Sequence, residues 1–151
     1  MKTLPIVILS LFCQYARGQM SGIVKNQPAH TVGKVVNIAT FIGELDYDIT
    51  ADDTVYSLVY RNYEYSRIDD RQVITFSGKG HTVDSLYTAM SSVFLPENKK
   101  NKDYILQFTL GQTPVTVAPF RVMGSTVCSL HRGNSYALFT ERQLDKLFGK
   151  R

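Results

Sequence analysis

The stretch SGKGHTVDSLYTAMSSVF, Ser77–Phe94, decides how the middle of this chain is read. A glycine pair brackets Lys79 and an apolar pattern follows at once. That outline fits a phosphate-binding loop, and it also fits a plain strand-to-helix join. Val83, Leu86, Tyr87, Met90, Val93 and Phe94 recur at the spacing of one helix face. Thr82 suits the N-cap, Asp84 complements the positive helix start, and Pro96 stops the helix. A P-loop needs G-x-x-x-x-G-K-[ST], because its backbone N–H groups wrap one phosphate while Lys and Ser/Thr serve the next phosphate and Mg²⁺. Gly78-Lys79-Gly80 has neither that spacing nor the terminal pair. The stretch is a join, and no nucleotide or other cofactor is expected.

Working upstream, RQVITFS (Arg71–Ser77) reads as the strand that feeds this helix. TVYSLVYRNYEY, from Thr54, places Tyr56, Leu58 and Tyr60 on one face of another strand. The aromatics then change parity to Tyr63 and Tyr65, which marks a bulge or a strand end near Asn62. Val35–Leu45, rich in β-branched residues, reads as the first strand. Residues 19–34 are polar, carry Pro28 and two glycines, and read as a flexible lead-in.

Downstream, Tyr104, Leu106, Phe108 and Leu110 alternate as in a half-buried strand, and Gly111-Gln112 reads as a two-residue turn into TPVTVAPF. STVCSLHR and SYALF form another hairpin across Gly133-Asn134. Thr140 and Gln143 make a capping box, Leu144, Leu147 and Phe148 an apolar stripe, and Gly149 a helix stop. Three strands and a helix are thus followed by four strands and a helix. The expected class is α+β: a single domain over 35–151, mainly an antiparallel sheet of six or seven strands, with two helices on one face.

Composition agrees with this. The chain has 151 residues, 44% of them hydrophobic and 20% charged, which excludes wholesale disorder. Nine Tyr and eight Phe lean it toward strands. The first segment, MKTLPIVILSLFCQYARG, has a positive start at Lys2, a short apolar run, and small residues at Ala16 and Gly18. That is the plan of a signal peptide over residues 1–18, with export to the periplasm or beyond as its consequence. The run is too short to span a membrane. Cleavage would remove Lys2 and Arg17 and lower the net charge from +4 to +2, leaving no basic face of the kind nucleic acid requires. It would also remove Cys13, so that Cys128, in the core-like segment TVCSL, stands alone as a small buried hydrophobe. Lys99, Lys100 and Lys102 read as a solvated loop.

The remaining motifs favour plain readings. Asp46, Asp48, Asp52 and Asp53 lack the Gly and Glu of a calcium loop and read as an acidic turn. Cys128 and His131, three apart in a strand, point to opposite faces. The tail LFGKR reads as a helix end rather than a peptide-processing signal.

The expectation is therefore a small exported domain without catalytic machinery, binding a protein or an envelope surface. The alternative class is a small secreted enzyme whose site is assembled across strands. The candidate contact residues are Arg61, Tyr63, Tyr65 and Arg67 in YRNYEYSR, since Tyr and Arg are enriched where proteins meet partners. If Tyr60 faces inward, an unbulged strand turns Arg61, Tyr63 and Tyr65 outward together.

Overall fold

The computed structural model describes residues 30–150. The expected leader, and the lead-in up to residue 29, lie outside the described residues. Strands β1 (His30–Asn37), β2 (Thr40–Ile49), β3 (Thr54–Arg61) and β4 (Arg71–Ser77) form one antiparallel sheet in chain order. Helix α1 (Thr82–Ser91) follows and tightens into a 3-10 turn at Ser92–Phe94. Strands β5 (Leu106–Leu110), β6 (Thr113–Val122), β7 (Ser125–Arg132) and β8 (Ser135–Phe139) form a second antiparallel sheet, and α2 (Glu141–Leu147) closes the chain. The class is α+β, and each half is a four-stranded meander followed by a helix.

The structure corrects the expected sheet count, first strand, lead-in boundary and helix placement. Among the described residues the single sheet of six or seven strands is two sheets of four, and Val35–Leu45 is not one strand. A turn at Ile38–Ala39 pairs Asn37 with Thr40, and both turn residues take positive φ, 43° and 65°. Such turns favour Asn-Gly, so Ile-Ala inside a β-branched run gives no turn signal. The first strand consequently begins at His30, and residues 30–34 are sheet rather than lead-in.

The helices do not share one sheet face. α1 packs against β6 and β7, whereas α2 packs against β1 and β2, so each helix covers the sheet of the other half. The reason lies in the strands. Leu45, Leu58 and Ile74 align across β2, β3 and β4, while Val117, Leu130 and Ala137 align across β6, β7 and β8. All six are buried. Two apolar faces require two covers, and Leu86, Met90, Val93, Leu144 and Leu147 supply them within one shared core.

Gly33 sets the closest approach. A Cβ there would lie 2.1 Å from the carbonyl oxygen of Lys146, so the end of α2 rests directly on β1. That end is closed as the sequence indicates. Gly149 (φ 64°) donates to the Lys146 carbonyl and Lys150 to that of Asp145, a Schellman arrangement. At its start, Thr140 and Gln143 exchange both bonds of the capping box.

Candidate functional site

β3 ends at Arg61, and the chain then turns on Asn62. This side chain is buried, and its oxygen accepts from Glu64 N–H at 3.1 Å, capping a 3-10 turn over Tyr63–Tyr65. The same oxygen accepts from Tyr136 N–H at 3.2 Å, while the amide nitrogen donates to Asp70 Oδ2 at 2.8 Å. The Asn62 backbone N–H donates to the Asp70 carbonyl. One buried amide therefore fixes both ends of the 62–70 loop and ties it to β8 in the second sheet. The strand end near Asn62 lies where the aromatic parity change places it.

The turn distributes the four candidate residues unequally. Tyr65 is 56% exposed and Arg67 is exposed, with exposed Ile68 beside them. Tyr63 is half-buried, stacks on Tyr136 at a centroid distance of 6.2 Å, and packs against the core. Burial raises the pKa of its hydroxyl above the ordinary tyrosine value, against a smaller lowering from the Arg61 charge. The expectation that Tyr63 and Tyr65 face outward together is thus corrected: after Asn62 the chain follows a 3-10 turn, in which successive side chains do not alternate. Arg61 is half-buried. Its Nη2 donates to the Ser66 carbonyl at 2.6 Å, its guanidinium lies 6.0 Å from the Tyr63 ring centre, and among the described residues its Nε has no partner.

Beside this turn lies an open cleft of about 440 Å³, lined among others by Lys34, Val36, Phe41, Arg61, Asp69 and Arg71. Phe41 is buried outside the main core, with the Arg71 guanidinium 4.3 Å and the Lys34 ammonium 5.9 Å from its ring centre. Asp69 holds Arg71 at 2.6 Å and Glu44 holds Lys34 at 3.0 Å. The hydrogen bond from Arg71 holds the Asp69 carboxyl below the usual carboxylate range. The cleft thus sets three cations, Lys34, Arg61 and Arg71, and the Asp69 carboxylate around the Phe41 ring.

Sequence reasoning missed Lys34, Phe41 and Arg71. Phe41 and Ile42 are consecutive and both buried, but only Ile42 joins the main core. A register shift between Val35 and Val36, together with the unsignalled turn, places Phe41 there. No period-two pattern reveals such a position.

The other motifs take structural places. Gly78 packs on Tyr56, where a Cβ would fall 2.7 Å from the ring, and Lys79 is exposed. The N-cap of α1 is His81 in the left-handed region rather than Thr82, whose hydroxyl donates to the Lys79 carbonyl instead. Asp53 accepts from Thr54 N–H at 2.7 Å and from the Ser77 hydroxyl, closing the acidic turn. Among the described residues no three His, Cys, Asp or Glu side chains gather as metal ligands. Cys128 is fully buried, and desolvation drives its thiol pKa up. His131 stacks on Tyr136 at 5.4 Å and does not join the core around Cys128, as the strand parity requires. His30 stacks on Tyr47 at 5.1 Å.

Among the described residues no helix is long and apolar enough to cross a membrane. A scan against protein-family models finds no matching family, and searches of curated proteins and of solved structures find no match.

Proposed function

We propose that this chain is an exported binding module without catalytic machinery, which meets a protein or envelope-surface partner at the 61–71 turn. Tyr65 and Arg67 make the contact, Arg61 lines the adjoining cleft, and Tyr63 braces the turn from beneath. The observation that carries this reading is that exposed Tyr65, Arg67 and Ile68 sit on a turn whose flanks, Arg61, Asp69 and Arg71, line a cleft over Phe41. Aromatic and arginine side chains on a pre-organised frame suit recognition, because little conformational entropy is lost when they engage. Strain at the cleft's lip points the same way. Ile38 and Ala39 both sit in the left-handed region, and backbone outliers of this sort concentrate at ligand clamps. Export rests on the plan of the first eighteen residues.

The test is affinity capture from the native envelope with wild type and with the Tyr65→Ala/Arg67→Ala pair. The pair is expected to keep the wild-type melting temperature and to lose the partner that wild type retains. Equal capture by both proteins contradicts the reading.

A further inference from the structure

The lysine loop becomes something else once folded. Lys99, Lys100 and Lys102 come together with Pro119, Phe120 and Arg121 of β6 around a second cleft, of about 380 Å³. The Thr126 hydroxyl of β7 donates to the Lys99 carbonyl at 3.3 Å, linking loop to hairpin. All four cationic side chains belong to exposed residues, and among the described residues no carboxylate forms an ion pair with any of them. Beside them the β6–β7 hairpin projects apolar groups into solvent. Phe120 is 48% exposed, Val122 38%, and Met123, in the tight turn with Gly124, is fully exposed.

We propose that this hairpin tip is a peripheral docking site for anionic phospholipid surfaces. Four exposed cations without an ion-pair partner among the described residues call for a dense array of negative charge, and exposed apolar side chains call for hydrocarbon. A bilayer of acidic lipid offers both within one layer: phosphates at the surface, acyl chains just beneath. A nucleic acid would match the charge but leave Val122 and Met123 without an apolar partner, and a free phosphate would satisfy neither apolar group.

The chain contains no tryptophan, which permits a selective test. Met123→Trp places a single reporter at the tip, with Val122→Trp as its replacement if the first variant melts lower than wild type. Ile49→Trp, at an exposed position of the first sheet, is the control. Vesicles of equal parts phosphatidylglycerol and phosphatidylcholine should shift the tip reporter to the blue, and lipids brominated in the acyl chain should quench it. Pure phosphatidylcholine should do neither, and the Ile49→Trp reporter should respond to neither. Converting Lys99, Lys100 and Lys102 together to Gln should weaken partitioning on the order of a hundred-fold, at roughly five-fold per cation, and raised salt should act in the same direction. An unshifted tip reporter, an equal response to neutral vesicles, indifference to the lysine changes, or a response to an oligonucleotide in place of vesicles would each overturn the proposal.

Discussion

The side-chain oxygen of Asn62 accepts the backbone N–H of Tyr136 at 3.2 Å, joining the loop after β3 to a strand of the other sheet. The two residues are separated by 74 positions in sequence. Nearby, the Tyr60 and Ser135 hydroxyls meet at 2.8 Å. The candidate contact turn is therefore mounted on the seam between the two halves rather than on a free loop.

Replacing Asn62 should expose that dependence. Asn62→Ala removes the turn's cap and leaves the N–H of Tyr136 and the carboxylate of Asp70 without this partner. Each buried group left unsatisfied costs about 1–3 kcal/mol. A loss of about 2–4 kcal/mol in chemical denaturation is expected. A neutral result would mean that water replaces the amide at no cost.

The core assignment is tested at α1. Leu86 and Met90 are almost completely buried between the two halves. Leu86→Ala or Met90→Ala should each cost about 2–5 kcal/mol by urea unfolding. Lys79→Ala at the helix entrance should leave stability close to wild type, since that residue is exposed.

The β1–β2 turn should be improvable. Ile38 and Ala39 occupy left-handed conformations that cost an L-residue roughly 1–2 kcal/mol each. Ile38→Asn combined with Ala39→Gly supplies the pair such a turn prefers, and should stabilise the protein by about 1–2 kcal/mol. If the strain serves the adjoining cleft, the stabilised variant should also bind its partner less tightly, read as a faster dissociation rate.

Acid sensitivity should trace in part to His131. Burial lowers its folded pKa below the ordinary value of about 6.5. As pH falls, the unfolded chain takes up the proton first. The contribution to stability is thus fully present above the unfolded value and is lost as pH drops through it toward the folded value. His131→Gln should flatten the fall in melting temperature across that interval. An unchanged pH profile would assign the acid response to other groups.

Much of this fold is legible in the sequence, because its elements carry local signals. The helix of Ser77–Phe94 announces itself through periodicity, α2 through Thr140, Gln143 and Gly149, and the later hairpins through Gly111 and Gly133. What is hidden is whatever depends on distant contacts. Ile38-Ala39 turns the chain with residues that give no turn signal, so the sequence reads as one strand where two exist. Sheet count is hidden for a related reason: β4 and β5 are separated by a helix and a loop, and nothing local shows that they do not pair. The site divides in the same way. Tyr65 and Arg67 are readable from residue type, but Tyr63 turns onto Tyr136 because Asn62 caps a 3-10 turn. Lys34, Phe41 and Arg71 come together only through the successive pairings β1–β2, β2–β3 and β3–β4.

The most direct measurement of the central claim is site-specific photo-crosslinking in the native host. A photoreactive residue at position 65 should yield a discrete adduct with one envelope component, which disappears when Arg67→Ala is added. The same residue at exposed position 49 should yield none. No adduct from position 65, or the same adduct from both positions, would contradict a binding surface at the 61–71 turn.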